Sequence, residues 1–234
     1  MPHGAVLVIS TSRRMLNSVK GKWLPVILML LFAISRAPGV FPKDFASFSA
    51  AYAIAFCAGV YFRGKLAWWI PLATLIFTDV ALNMYYWLAR GWDVWKPATL
   101  SYQLFNYVAY GTIFWLGRRF RPRSSFLGLL GGGVLGALLF YIITNTASWF
   151  FNPFHNPEYT KTLQGLIIAL TKGTNGWPEA WTFFRNTLTS GGLFTALFVG
   201  VMKLTAPAES PAEKEAGVRE EEPEAEGEPE EAKA

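Results

Sequence analysis

Residues 125–151 read SFLGLLGGGVLGALLFYIITNTASWFF, twenty-seven consecutive positions without a Lys, Arg, Asp or Glu. As a helix this stretch rises about 40 Å, more than the ~30 Å hydrocarbon core of a bilayer. Length, apolarity and absence of charge together predict a membrane-crossing helix. Gly128, Gly132 and Gly136 recur four residues apart within it, a spacing that lets helix backbones approach closely. Packing inside a bundle is the simpler meaning of that face, and docking of another membrane subunit the sharper one. Ala46, Ala50, Ala51, Ala55 and Gly59 give an earlier segment a similar small-residue face.

Working outward, five more apolar stretches appear: Trp23–Ser35, Ala46–Phe62, Leu66–Ala89, Ala98–Gly117 and Trp181–Leu204. The first is short, but Lys20, Lys22 and Arg36 flank it, and long basic side chains reach the interfaces from just inside a span. The composition agrees. Of 234 residues, 52% are hydrophobic and only 16% charged, against roughly 25% charged in an ordinary soluble domain. The expectation is an all-α membrane protein, a six-helix transmembrane bundle over residues 23–205 with a basic segment, 1–22, before it.

The net charge of +5 averages two unlike regions. Residues 1–205 carry eighteen Lys and Arg against five acids, whereas residues 206–234 carry eleven Glu, three basic residues and no aromatic. That tail has no means of building a core and is predicted to be a disordered acidic appendage. Placing the N-terminus inside gives eleven basic residues on the cytoplasmic side, including Arg118, Arg119, Arg121 and Arg123, against six outside. Both termini are therefore expected in the cytoplasm of a multi-pass protein of the cell membrane. A cleaved signal peptide is the rival reading of residues 1–35. Its exit, Ser35-Arg36-Ala37-Pro38, fits a small-residue cleavage site poorly.

Polar groups inside spans are costly and are either functional or glue between helices. Here they share a depth. Asp79 lies fourteen residues beyond Lys65, roughly 21 Å along a helix, past the midplane towards the outside, with Asn83 one turn later on the same face. Asn145 and Trp149 fall at the outer end of the fifth span, Arg185 and Asn186 at the outer end of the sixth, and Asn106 near the outer end of the fourth. These seven residues are the candidate ligand-binding set of an outward-facing pocket. An Asp79–Arg185 ion pair that merely ties helices together is the alternative. The loop 152–180 contains an apolar stretch, Leu163–Leu170, too short to cross and predicted to lie at the outer mouth.

Some chemistries are excluded by inventory. One cysteine, Cys57, and two histidines, His3 and His155, rule out a disulfide framework and any Cys/His zinc site with ordinary spacing. Basic residues sit in short clusters between apolar runs rather than along a groove with interleaved aromatics, so nucleic acid is not an expected partner. With five acids ahead of the tail and no nucleophile motif, no catalytic residues are assigned, an enzyme is not expected, and no cofactor is called for.

Two resemblances add to this. Phe41-Pro42-Lys43-Asp44-Phe45-Ala46, Ile70-Pro71-Leu72 through Thr78-Asp79, Thr144-Asn145-Thr146-Ala147-Ser148-Trp149, Tyr159–Gly165 and Phe184-Arg185-Asn186-Thr187-Leu188 resemble a family of uncharacterised bacterial integral membrane proteins, a domain of unknown function. More remotely, the six-span layout and the run Leu135–Tyr141 approaching a polar turn look like the substrate-binding S components of energy-coupling-factor transporters. That second resemblance implies an S-component-like bundle taking up a small solute from the outer side, with a membrane coupling subunit as a possible partner beside the lipid bilayer. The first span lacks the Ala-x-x-x-Ala face through which S components meet that subunit. A non-transporting scaffold or assembly factor is the other class of function the residues allow.

Overall fold

The computed structural model describes residues 23–38, 40, 45–64 and 66–205. The expectations for the basic segment 1–22 and the acidic tail 206–234 lie outside the described residues. Seven helices, and no strand, are found among those described: α1 (Trp23–Arg36, its last turn Ile34–Arg36 a 3-10 helix), α2 (Ala51–Tyr61), α3 (Leu66–Arg90), α4 (Pro97–Gly117), α5 (Phe126–Phe151), α6 (Leu163–Thr171) and α7 (Ala180–Thr205). Each of the six apolar stretches overlaps one of the longer helices, and the stretch too short to cross is α6.

Helix α2 is the hub. Every residue from Ala51 to Val60 is buried, as expected of a helix that is apolar on all sides. Its alanines and Gly59 keep it slender enough for neighbours to close around it. The tightest approach is reciprocal: a Cβ on Gly59 would lie 2.2 Å from the Phe114 carbonyl oxygen of α4, and one on Gly117 would lie 2.2 Å from that of Phe56. The two backbones touch there. Around this crossing Tyr52, Phe56, Val60, Ile113, Leu129, Ala137 and Phe198 form one continuous core drawn from α2, α4, α5 and α7.

The helix is shorter than the span Ala46–Phe62 that the sequence suggested. Ser47 takes a left-handed backbone conformation (φ 65°), which breaks the helix ahead of Ala51. Two hydroxyls then cover amides at the helix start: Ser35 Oγ accepts from Ala50 N at 3.1 Å, and Ser49 Oγ from Ala51 N at 3.1 Å. At the other end, the Arg118 guanidinium donates to the Phe62 carbonyl at 3.1 Å.

The glycine face of α5 serves internal packing. Gly132 lies against the Phe56 and Phe120 rings, Gly133 against Thr195 of α7, and Gly136 against Ile113 of α4. Gly191 of α7 returns the contact at Ala137. Gly131, in contrast, faces open space. By length and composition α5, α7 and most of α3 (Trp68–Arg90) are able to cross a membrane. That is three helices where six spans were expected. At eleven residues α2 rises only about 16 Å, α1 is also short, and α4 is diluted by Ser101, Gln103, Asn106 and Thr112.

Candidate functional site

The centre of polarity is an ion pair between α1 and α3. Arg36 Nη2 donates to Asp79 Oδ1, and Arg36 Nη1 donates to the Tyr110 hydroxyl of α4 at 3.3 Å. Both charged side chains are withdrawn from solvent, at 7% and 15% exposure, and the Tyr107 phenol neighbours Asp79. An unpaired charge in such a place is expensive, and each member offsets the other's charge. Arg36, an interfacial flank by its position in the sequence, turns inwards instead. Arg185, the partner suggested for Asp79, is exposed and donates through Nε to its neighbour Asn186 at 3.4 Å.

The seven candidate residues fall into three groups rather than one ring. On α3 and α4, Asn83 Oδ1 accepts from Gln103 Nε2 at 2.8 Å, one turn beyond the ion pair. Asn106, on the same α4 face as Gln103 and Tyr110, keeps a buried Oδ1 with no hydrogen-bond partner among the described residues. On α7, Asn186 Nδ2 donates to the Ala46 carbonyl at 2.9 Å, while its neighbour Thr187 meets the Tyr52 hydroxyl at 3.5 Å. These two contacts hold α7 to the turn that starts α2. On α5, Asn145 Nδ2 donates to the Tyr141 carbonyl of its own helix at 2.9 Å, and Trp149 Nε1 donates to the Thr160 carbonyl at 2.6 Å.

That third group organises the loop that follows α5. Lys161 donates to the carbonyls of Trp149 and Phe150 at the C-terminal end of α5, where a cation complements the exposed carbonyls and the helix dipole. Asn152 caps α5 in a left-handed conformation and closes the turn by accepting from Asn156 N at 2.8 Å. Tyr141 donates to the carbonyls of Leu170 and Ala180, each at 3.0 Å, which pins the end of α6 to the start of α7. Burial and the adjacent Glu158 carboxylate push the Tyr159 phenol above its ordinary pKa range. Among the described residues no three His, Cys, Asp or Glu side chains gather as metal ligands.

An open groove of about 550 Å³ runs between α1 and α3 beside the ion pair. Leu30, Ala33, Ile34, Ala73, Phe77 and Leu82 give it apolar walls, and Arg36 lines it as well. Its threonines bring little polarity. Thr74 Oγ1 donates to the Ile70 carbonyl at 2.9 Å, and Thr78 Oγ1 to the carbonyls of Thr74 and Leu75 at 3.0 and 2.9 Å. Arg36 Nε is buried with no acceptor among the described residues. Arg36, Tyr110 and Gln103 were missed in the sequence. The available signal was depth: Arg36 stands thirteen residues into α1 and Asp79 thirteen into α3.

No curated protein and no solved structure matches the chain. The pattern of DUF6580, a family of unknown function, matches residues 17–213, and the chain belongs to that family.

Proposed function

We propose that the protein is a six-crossing membrane protein that binds a small solute in the α1–α3 groove and serves its uptake, in the manner of a transporter's substrate-binding component. The observation that carries the reading is the groove itself: about 550 Å³ of apolar volume beside the buried Arg36–Asp79 pair. That size lies within the range of small-molecule sites, and few polar groups among apolar walls is their usual chemistry. In this reading α2 crosses as a short internal segment. Irregular backbone such as 45–50 is tolerated at depth where protein rather than lipid surrounds it. Both termini face the cytoplasm, following the bias of basic residues. Binding, not catalysis, is the role assigned.

A second reading, a non-transporting scaffold, is favoured by the bonds Asn83–Gln103 and Asn186–Ala46, which satisfy candidate ligand groups within the protein. Native mass spectrometry of the detergent-purified full chain separates the two. A co-purifying small molecule that disappears when Ala33→Phe fills the groove supports the solute binder. No adduct on the folded wild-type protein turns the assignment to the scaffold.

A further inference from the structure

We infer that the end of the bundle where α3 and α5 start and α7 stops binds the head group of an anionic phospholipid, with Arg119 and Trp115 as its principal contacts. This goes beyond the groove and does not depend on what fills it. Charge is divided unequally between the two ends of the helices. At this end stand Arg63, Arg118, Arg119, Arg121, Arg123 and Lys203, with no Asp or Glu among the described residues there. At the other end Arg90, Lys96, Lys161, Lys172 and Arg185 share their space with Asp93, Glu158 and Glu179. The first end therefore attracts anions and repels cations.

Packing gathers these cations at one depth. The Arg118 guanidinium holds the Phe62 carbonyl, beside Arg63. The Phe120 ring lies 5.3 Å from that of Phe56, and the Tyr61 ring 5.6 Å from that of Phe198, which joins the turns after α2 and α4 to the last part of α7. Trp68, at the start of α3, packs against Phe114 of α4 at 4.0 Å. The parts of α3, α5 and α7 able to cross a membrane begin at Trp68, begin at Phe126 and end at Thr205. The cations accordingly stand at the edge of the hydrocarbon, where lipid phosphates lie, and Trp68, Trp69 and Trp115 are exposed beside them as tryptophans are at that boundary.

Trp115, two residues short of the end of α4, is 58% exposed, and the Arg119 guanidinium lies over its ring at 4.6 Å. The indole steadies the planar cation by one face. Arg119 is itself exposed, so its N–H edge is open to a phosphodiester, two of whose oxygens it is shaped to take at once. Phosphate alone does not select the lipid, because phosphatidylcholine carries the same group. Its ammonium decides against it: that charge would enter a cluster of like sign with no carboxylate to receive it, whereas the neutral glycerol of phosphatidylglycerol brings none. An acidic peptide would also satisfy the cations, but it has no hydrocarbon to lay on the exposed indole. One anionic lipid covers Trp115 and meets Arg119 together.

The test offers delipidated full-length protein equal amounts of dioleoylphosphatidylglycerol and dioleoylphosphatidylcholine, which share their chains, and reads the adducts by native mass spectrometry. The expected result is a glycerol-to-choline adduct ratio of roughly five or more, falling about threefold to fivefold in Arg119→Gln, the contribution of one basic side chain at a membrane surface. Arg90→Gln, at the opposite end, is expected to leave the ratio unchanged, and so is Ala33→Phe, which fills only the groove. A wild-type ratio near one overturns the inference. So does an equal fall in Arg119→Gln and Arg90→Gln, which would mean that lipids respond to net charge and not to this end. A wild-type ratio near one that rises once the eleven glutamates of residues 206–234 are changed to glutamine names that segment as the occupant instead.

Discussion

Consecutive helices α2 and α3 solve opposite problems. The eleven residues of α2 are almost wholly enclosed by protein, and its alanines and glycine matter because they are small. The twenty-five residues of α3 lie at the edge of the bundle, where Trp69, Phe77 and Leu88 are 66%, 74% and 70% exposed. Exposed apolar surface of that extent is what a bilayer covers. One helix is selected by shape and the other by solvent. Sequence hydropathy makes them look like members of one class, because both contexts favour apolar side chains.

The sharpest way to break this contrast is to enlarge the hub. Gly59→Leu puts side-chain atoms where the Phe114 carbonyl stands, and backbone cannot step aside as a flexible side chain can. Little or no folded monomer is expected by fluorescence-detected size exclusion. Recovery of a wild-type peak would mean that the α2–α4 crossing is looser than described.

Next comes the ion pair that joins α3 to the rest. Asp79→Ala strands a buried guanidinium and is expected to cost about 3–5 kcal/mol of stability. Replacing both members, Arg36→Met with Asp79→Leu, is expected to recover most of that loss, since well-packed apolar residues often equal a buried pair. Thermal melts of the two variants check this. A double variant no better than Asp79→Ala would contradict the pairing.

A third comparison sets solvent against shape on α3 itself. Ile76 is 41% exposed near the middle of the helix. With lipid outside, Ile76→Lys is expected to impair insertion by about 2.5–3.5 kcal/mol, whereas Ile76→Val should change little. A glycosylation-reporter insertion assay gives the difference. Equal insertion of the two variants would remove α3 from the membrane.

Much of the architecture was legible because the apolar stretches are separated by basic or Pro- and Gly-containing turns; even the short α6 stood out by length. What escaped detection depended on neighbours. Nothing local to Ser47 announces its left-handed backbone, so the start of α2 was placed five residues early. Arg36 reads as a flank by position, and only the three-dimensional neighbourhood of Asp79, forty-three residues away, turns it inwards. Tyr52 and Thr187 meet across 135 residues. Shared depth was visible for the seven candidates, but depth orders groups along the membrane normal. It says nothing of which helices stand side by side, and that is why one predicted pocket resolved into three groups.

The smallest expected effect separates two asparagines of the candidate set. Asn186 donates to Ala46 in another segment and is 3% exposed, so truncation leaves a buried carbonyl short of a donor. Asn186→Ala is expected to lower stability by about 1–3 kcal/mol. Asn145 donates to Tyr141 one turn back on α5, a carbonyl within an intact helix, and among the described residues its amide bridges no helices. Asn145→Ala is expected to cost under about 1 kcal/mol by the same measure. Thermal melting of both variants in one detergent provides the ranking, and a cycle combining Asn186→Ala with Thr187→Val asks whether the two α7 contacts at the start of α2 act as a unit. Coupling above about 0.5 kcal/mol would mark that corner as a single joint. Equal losses for Asn145→Ala and Asn186→Ala would instead give Asn145 a partner beyond its own helix, and so restore it to a site shared with α7.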